Sequence, residues 1–464
     1  MLKKIQIIKK LFEFLDGWIK KIDGLDFGSS KKIFFREVLL FSIIIITTKA
    51  NVKGAHLEVI KQLKSQKSHF TYQGIHAASL NININHIIEL NCDFIKFINK
   101  HAVPRYKKIN KQIMMQFAID GTQVSHSKRM GPIQNKELRK TITGAYKKCS
   151  QTFPFEINTS IVQTVAIDPY FDERSIATLQ RCLKDIPKGS LLIADRGYYS
   201  SSLACSLDKE GYKYIVRVPK NTFVFARREA PPKNYRLVAY TVKYSEKGSN
   251  SVISSRIKLI TNLPENTFRD QTVGDLYHSR WKVEEFYKTL KSGLNCNIQC
   301  LKREESLNLR TQMQMFVSNF IAFIIALGDD SDPKYKYSPK YITDQIKDIF
   351  VDLLYHKSVA KIQRVFSLIW RHARVRIELN RHFPRKLVFS NFNKYNKCNK
   401  GPKYKIRIKL LEQPKESLDA INDTNFKPIK FKPIKFIPVE PVKPVVVNKL
   451  AHSPKLKIKL SFAT

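Results

Sequence analysis

The chain has 464 residues and a formal net charge of +43 at pH 7, because 82 lysines and arginines outnumber 39 acidic residues. Hydrophobic residues make up 43% of the chain, enough to build sizeable cores, which excludes a wholly disordered or fibrous protein. A positive charge of this size indicates a polyanionic partner, so we expect either a nucleic acid or an anionic membrane surface.

The first 110 residues have apolar residues at helical spacing between lysines, which predicts a helical amino-terminal domain, residues 1–110. Its longest apolar stretch, VLLFSIIIITT from Val38, is about half the roughly 20 residues of a membrane-spanning helix and predicts a buried helix instead. The segment MLKKIQIIKKLFEF lacks the continuous apolar region and the cleavage site of a secretion signal. We therefore expect no membrane span and no export, which leaves nucleic acid as the favoured partner.

The seven cysteines are an odd number spread along the chain, so they do not form the framework of a disulfide-rich protein. Cys296 and Cys300 could supply half of a metal site, but no second pair lies nearby at ligand spacing, which favours packing thiols. This use of cysteine fits the reduced cytosol.

From residue 111 the sequence changes to short runs that predict strands, in IMMQFAIDGTQV, KTITGAYKK and INTSIVQTVAID, arranged as a meander. A helix capped by Asp172 and the strand SLLIADRGY complete a β-β-β-α-β order in residues 111–205. Residues 206–270 are rich in Val, Ile, Tyr and Phe and predict an all-β insertion. Helical periodicity resumes in residues 271–385. This order predicts an α/β fold with a mixed sheet.

Residues 386–464 have a different composition, with prolines in close succession and the pentapeptide FKPIK twice from Phe426. Proline at this density prevents helices and central strands, so we expect an extended, partly disordered basic tail. Two interpretations stay open, an arm that binds DNA without sequence preference or a charged linker with no partner. The alternating runs YKIRIKL and KLKIKL could instead be edge strands.

Two aspartates directly follow predicted strands, Asp120 in FAIDGT and Asp195 in LLIADRGY. Side chains at strand ends of an α/β sheet project into a crevice where sites form, although either aspartate alone is more typical of a turn. Glu284 adds a third carboxylate from a predicted helix. Three oxygen ligands on separate elements suit hard divalent cations such as Mg2+, and a pair of such ions can activate a hydroxyl and neutralise the leaving oxygen of a phosphodiester.

The helix of Glu284, in YHSRWKVEEFYKTLK, also carries Tyr277, Arg280 and Lys291 within roughly 60° of one another on a helical wheel. The simpler interpretation of this stripe is a solvated face on which Glu284 pairs with Arg280 and Lys288. The alternative is a single reaction face, since cations beside a metal-binding acid can hold the DNA backbone and offset charge on the phosphate.

The motifs DGT, DRGY and Tyr-x2-Arg-x3-Glu-x6-Lys resemble those of bacterial DDE transposases of the insertion sequence four family, over residues 111–330. The resemblance implies a ribonuclease H-like mixed sheet, with one aspartate on the first strand, the second after the fourth strand and a β-rich insertion before the glutamate helix. It also implies that Asp120, Asp195 and Glu284 are the catalytic, metal-binding triad.

The same resemblance implies that Tyr277, Arg280 and Lys291 face the DNA ends, with Arg196 of DRGY as a further candidate. The implied cofactors are two Mg2+ ions per site, with Mn2+ as a substitute. The implied partners are double-stranded DNA, at the element ends and at the target, and a second copy of the chain in the DNA complex. We expect the protein in the bacterial cytoplasm, at the nucleoid.

The expected function is DNA transposition, in which the protein binds the inverted-repeat ends of an insertion sequence, hydrolyses the DNA there and joins the freed 3′-hydroxyls to target DNA. Two alternatives stay open. A catalytically silent copy would occupy the ends and repress transposition, and a nicking nuclease of the same fold would cut without joining. The presence of all three acids favours the transposase over the silent copy.

Overall fold

The computed structural model describes residues 2–27, 33–48, 52–62, 70–102, 115–126, 147–168, 181–219, 235–245, 252–294, 304–328, 335–356 and 358–376. Five features of the sequence analysis lie wholly or mostly outside these ranges: the basic tail of residues 386–464, the Asp172 cap, Cys296, Cys300 and the predicted strand KTITGAYKK. Every described residue falls within the unit Met1–Gly401.

The helices of the described residues are α1 (Leu2–Ile22), α2 (Phe35–Thr48), α3 (Val52–Gln62), α4 (Tyr72–Leu80), α5 (Ile84–His101), α6 (Ser201–Lys209), α7 (Asp270–Ser279), α8 (Trp281–Ser292), α9 (Glu304–Gly328), α10 (Pro339–Val351) and α11 (Val359–His372). The strands are β1 (Gln116–Ile119), β2 (Gly121–His126), β3 (Lys147–Thr152), β4 (Phe155–Glu156), β5 (Ala166–Asp168), β6 (Leu191–Ala194), β7 (Lys213–Arg217), β8 (Arg236–Ser245), β9 (Val252–Thr261), β10 (Tyr335–Tyr337) and β11 (Arg374–Arg376). Helices therefore precede and follow a β-rich middle part.

The amino-terminal helices α1 to α5 share one hydrophobic core with α9, α10 and α11. Phe94 on α5 lies 5.0 Å from Phe316 and 6.0 Å from Phe320 on α9, measured between ring centroids. Buried Asn91 donates from Nδ2 to the backbone oxygen of Gln312 on α9 over 3.1 Å, which adds a polar contact between the same two helices. The predicted helical amino-terminal part is confirmed, and it is joined to the later helices by side-chain packing.

Two long apolar helices are buried within this core. Helix α2 contains the stretch from Val38 and buries nine of its side chains, which confirms the prediction of a buried helix. Within α9, Glu305–Gly328 is long and apolar enough to cross a membrane, but 83% of its most apolar window is buried inside the protein. A helix that is apolar on all sides is typical of a core position as well as of a membrane span.

A six-stranded mixed sheet has the order β4-β1-β6-β7-β9-β8, with β1, β6 and β7 parallel and the flanking strands antiparallel. All residues of β1 and β6 are buried because the sheet is covered on both faces. Ala118 and Ile193 face the core shared with the helices, while Phe117 and Leu192 face a second core. This alternation follows the two-residue period of a strand and confirms the predicted mixed α/β sheet.

The predicted strand IMMQFAIDGTQV is two strands, because the chain leaves the six-stranded sheet at Asp120. β1 stays in that sheet, while β2 pairs antiparallel with β3, and β3 with β5, in a separate three-stranded sheet. A three-stranded antiparallel sheet is thus present, but β1 is not part of it, and most of the predicted middle strand KTITGAYKK lies outside the described residues. The backbone N–H of Gly121 donates to Asp120 Oδ1 over 2.9 Å, the kind of local bond by which aspartate promotes a change of chain direction.

The described strands of residues 206–270 extend the six-stranded sheet. β7 pairs parallel with β6, β9 pairs antiparallel with β7, and β8 forms a long hairpin with β9. The expectation that this segment is all-β is wrong at its start, since residues 206–209 complete helix α6. Leu203 and Leu207 of α6 are buried in the second core, so the apolar spacing of this helix is explained by packing on the sheet.

Candidate active site

Asp120 and Asp195 follow neighbouring strands at the same edge of the six-stranded sheet. β1 and β6 are parallel, and Ile119 pairs with Ala194, so the next residue of each strand leaves the sheet at the same level. Adjacent strands lie about 4.8 Å apart, which places the two aspartates side by side. Their position at the carboxyl ends of parallel strands, beside the α7–α8 region, is a common place for sites in α/β proteins.

Glu284 comes to this edge on α8. The hydroxyl of Tyr287, one turn further along α8, donates to the backbone oxygen of Asp120. This hydrogen bond and the packing of Tyr287 against Phe153 hold the helix against the end of β1. The helix thereby brings a third carboxylate to the strand ends that carry the two aspartates.

The predicted helix of the Tyr277–Lys291 stripe is interrupted at Arg280, between α7 and α8. Arg280 keeps right-handed dihedral angles, φ −51° and ψ −29°. Its N–H donates to the oxygen of Tyr277 over 3.1 Å, and its own oxygen accepts from Val283 over 3.0 Å. These bonds span three residues instead of four, as in a 3-10 turn. The Arg280 side chain at this turn is buried.

The guanidinium of Arg280 joins two of the three acids. Its Nη1 lies 3.2 Å from Asp120 Oδ2, and its Nη2 lies 2.9 Å from Glu284 Oε1. The Arg280 side chain is only 5% exposed, against 26% for Asp120 and 37% for Glu284. The expected pairing of Arg280 with Glu284 is therefore present, but it joins a buried guanidinium to a partly exposed carboxylate, and such a charge-assisted bond is stronger than one on a fully solvated face.

The third acid, Asp195, has two other partners. The hydroxyl of Tyr277 donates to Asp195 Oδ1 over 3.0 Å, and Nη1 of Arg217 lies 3.6 Å from the same oxygen. Arg217 ends β7, whose Val216 pairs with Ala194, so strand register places it beside Asp195. Arg217 was missed by the sequence analysis, and its signal would have been an arginine directly after the buried strand KYIV.

The charges around Asp195 keep it ionised. Burial raises the pKa of its carboxyl, but the backbone N–H of Arg196, the charge of Arg280, the Tyr277 hydroxyl and the charge of Arg217 outweigh burial and lower the pKa below the ordinary 3.8. Burial and the charge of Asp195 raise the pKa of Tyr277 to about 12. Tyr277 is therefore a neutral hydrogen-bond donor, and Asp195 is the acceptor.

The lowered pKa of Asp195 makes a prediction about acid stability. A carboxyl whose pKa is lower in the folded than in the unfolded protein stabilises the fold at neutral pH, and this contribution is lost as pH falls through the folded pKa. Wild type should therefore exceed Asp195→Asn in free energy of unfolding at pH 7, and the difference should shrink towards about pH 3. Urea denaturation at both values measures it, and a difference that stays constant would contradict the assignment.

The donor types fit a divalent cation, but their present arrangement does not hold one. Carboxylate oxygens are the ligands that Mg2+ prefers. Among the described residues, however, no group of three His, Cys, Asp or Glu side chains could hold a metal ion. The expected convergence of Asp120, Asp195 and Glu284 on shared ions is thus not seen in this conformation, in which Arg280 is bonded to two of them.

The residues predicted to face DNA divide into two classes. Tyr277 and Arg280 are buried, at 6% and 4% exposure, and both bind carboxylates. Arg196 and Lys291 are exposed. Lys291 lies seven residues beyond Glu284, roughly 10 Å along the helix axis. In this conformation Arg196 and Lys291 are therefore at the margin of the acid cluster, while Tyr277 and Arg280 are inside it.

Two sequence comparisons relate this chain to transposases. Residues 116–320 match the family described as "Transposase DDE domain". A protein of Synechocystis sp., named as a transposase for insertion sequence element IS4SA, is 26% identical over 137 residues, which cover 28% of this chain and 39% of the relative. The match thus spans well under half of the relative's length.

Among solved structures, the chain is similar to the piggyBac transposase in the cryo-EM structure of its synaptic complex with hairpin DNA. The TM-score is 0.39 and the sequence identity 11%, over 74% of this chain and 78% of that chain. The segment matched by the family contains Asp120, Asp195 and Glu284 together with their partners Tyr277, Arg280 and Arg217.

Proposed function

The chain carries a DDE transposase domain of the insertion sequence four kind in residues 116–320, and from this premise we propose that it moves an insertion sequence by cutting and joining DNA. The proposed reaction begins with binding of the inverted-repeat ends and metal-dependent hydrolysis there. It is completed by transesterification, in which the freed 3′-hydroxyls attack target DNA. The catalytic core would have the ribonuclease H-like arrangement implied by the sequence.

One observation carries this proposal: three acids from β1, β6 and α8 surround a single arginine at the carboxyl edge of the sheet. Arg280 bonds to Asp120 and Glu284, and its charge also lowers the pKa of Asp195. Acids gathered from elements far apart in sequence around a buried arginine are typical of functional sites. With Arg217 beside Asp195, the cluster contains three carboxylates and two guanidinium groups.

Asp120, Asp195 and Glu284 would hold two divalent ions, Mg2+ or Mn2+ in its place. Such ions lower the pKa of bound water and neutralise charge on a phosphodiester, which is the chemistry they would supply here. The protein's own part is orientation. Tyr277 and Arg217 fix Asp195, while Tyr287 fixes the backbone at Asp120. These contacts restrict the positions of Asp195 and of the Asp120 backbone, so part of the orientation that the reaction needs is present without DNA.

The proposed partner is double-stranded DNA, both at the element ends and at the target. The net charge of +43 provides the sequence-independent attraction, and exposed Arg196 and Lys291 would hold phosphates beside the acids. Tyr277 and Arg280 would join them on the DNA-bound protein. Residues 1–110 would recognise the ends, and the basic tail of residues 386–464 would add contacts to the backbone.

Two ends must be held together for transposition, so we propose a homodimer on DNA, in the cytoplasm of a bacterium and at its nucleoid. Within each copy, residues 111–205 and 271–385 would form the catalytic core, with the strands of residues 206–270 as its insertion. The long β8–β9 hairpin at the sheet edge supports such an insertion, because it extends the sheet between β7 and the helix of Glu284.

Incubation of the purified protein with labelled end DNA and Mg2+ tests the function. We expect nicked or cut ends followed by products joined to target DNA, resolved on denaturing gels. Cutting without joining would support the nicking nuclease instead. A mock reaction with Ca2+, which binds oxygen ligands with different geometry, controls for contaminating nucleases that do not share the metal requirement.

The silent DNA-binding repressor is a second candidate because of one observation. Arg280 is bonded to Asp120 and Glu284, and the described residues contain no metal-holding group in this conformation. A copy locked in this arrangement would bind element ends without cutting them. Binding to end DNA, with no cleavage in Mg2+ or in Mn2+, would identify that function.

A further inference from the structure

Arg280 is the cation that the structure places among the acids. Its side chain is 5% exposed, and its two terminal nitrogens bond to Asp120 and Glu284 over 3.2 and 2.9 Å. Bonds between ionised groups are roughly twice as strong as neutral hydrogen bonds. The guanidinium therefore already supplies the positive charge that two of the three proposed metal ligands require.

A divalent ion and this guanidinium compete for the same oxygens. Mg2+ binds oxygen at about 2.1 Å, so an ion on Asp120 Oδ2 or Glu284 Oε1 would stand close to the arginine nitrogens. Two positive charges at such a separation repel, and they do so more strongly in a partly buried site than in bulk water. An ion shared by these acids thus requires Arg280 to release at least one of them.

In its present position, the Arg280 guanidinium does not use all of its N–H groups in hydrogen bonds. Its Nε is buried and has no hydrogen-bond partner in the described part of the structure. Arginine carries five N–H donors in a planar fork that matches phosphate as well as carboxylate. A phosphate held at this edge by the exposed Arg196 could therefore accept bonds from Arg280 that the acids do not accept now.

We propose that Arg280 is an internal cation, which occupies the acid cluster of the DNA-free protein and moves to a DNA phosphate on binding. The ion site would then be complete only on DNA, so hydrolysis would be confined to the bound protein. This inference rests on the proposed function, because it takes from it both the metal ligands and the DNA partner.

The test is the Mn2+ affinity of full-length protein without DNA, measured by isothermal titration calorimetry. Arg280→Gln should bind Mn2+ about tenfold more tightly than wild type or better, because the ion no longer displaces a guanidinium. Arg280→Lys should lie between them, since a lysine keeps the charge but cannot bridge two carboxylates. Arg236→Gln is the matched control, because it breaks a different arginine pair, with Asp270 at 2.6 Å, and should keep wild-type affinity.

DNA provides the second half of the test. A short duplex of end sequence should raise the Mn2+ affinity of wild type towards that of Arg280→Gln, and should change the affinity of Arg280→Gln much less. Melting curves with and without Mn2+ check the fold of each variant. A folded Arg280→Gln protein that Mn2+ stabilises more than it stabilises wild type supports the proposal, because at one ligand concentration tighter binding gives greater stabilisation.

Equal Mn2+ affinity of wild type and Arg280→Gln would overturn the internal-cation role. The double variant Arg280→Gln with Glu284→Gln separates this result from failure of the proposed function. If Mn2+ binding depends on Glu284 but not on Arg280, only the internal cation is lost. If the double variant binds Mn2+ as tightly as Arg280→Gln alone, Glu284 is not a ligand, and the proposed metal site fails as well.

Discussion

Glu284→Gln is expected to reduce strand cleavage by about a thousandfold or more while DNA binding stays at least as strong as in wild type. Glutamine keeps the size of the side chain but removes the negative charge that would hold a divalent ion. The Glu284 side chain is 37% exposed, so its replacement creates no buried cavity. Loss of one negative charge beside DNA also reduces repulsion from the phosphates.

Glu285→Gln provides the matched control for this experiment. Glu285 is the next residue of α8 and is exposed, so its replacement removes the same charge from the same helix without touching the acid cluster. We expect wild-type cleavage from this variant, measured with labelled end DNA in Mg2+. Asp120→Asn and Asp195→Asn should behave like Glu284→Gln. If wild type and Glu284→Gln cleave DNA at similar rates, the acid cluster is not the active site.

The two aspartates could be predicted from the sequence because their signal is local. Each follows a short apolar run, and an acid directly after such a strand leaves the sheet at its edge. The structure adds the pairing of Ile119 with Ala194, which aligns the ends of β1 and β6 so that the two aspartates leave the sheet next to each other. Strand pairing between residues 75 positions apart has no local signal, so the sequence predicted where each side chain leaves its strand but not their separation.

The partners of the acids were harder to predict. A helical wheel indicates which residues share a face but not whether that face is buried, so it did not predict that Arg280 is only 4% exposed in the DNA-free protein. Arg217 reaches Asp195 through the register of β6 and β7. Tyr287 would be assigned to the core from its spacing, and it is buried, but its hydroxyl also holds Asp120. Each of these roles depends on contacts distant in sequence.

The same limit applies to the strand IMMQFAIDGTQV and to the amino-terminal helices. Uninterrupted β-prone residues predict one strand, whereas the change of sheet at Asp120 depends on which later strands pair with each half. Helical spacing in residues 1–110 predicts helices, but it does not indicate which surface covers them. The structure answers that question through α9, whose buried face is shared with α5.

A chain that begins at residue 111 is therefore expected not to fold into a stable protein. Removal of α1 to α5 would expose Phe316, Phe320 and Phe323 of α9, each of which packs within 6.1 Å of Phe94. Loss of one large buried aromatic contact typically costs about 3–5 kcal/mol, and several together approach the whole stability of a domain, about 5–15 kcal/mol. The exposed apolar face should cause aggregation.

Expression of residues 111–464 beside the full chain, with circular dichroism and urea denaturation, measures this outcome. Phe94→Ala in the full chain removes only one of these aromatic contacts and should lower the free energy of unfolding by about 3–5 kcal/mol. Phe34→Ala is its control, because Phe34 is 43% exposed and its loss should cost far less. A cooperative unfolding transition from residues 111–464 would instead mean that these residues fold without residues 1–110. In that case the contacts of residues 1–110 with α9 would be a domain interface and not part of one shared core.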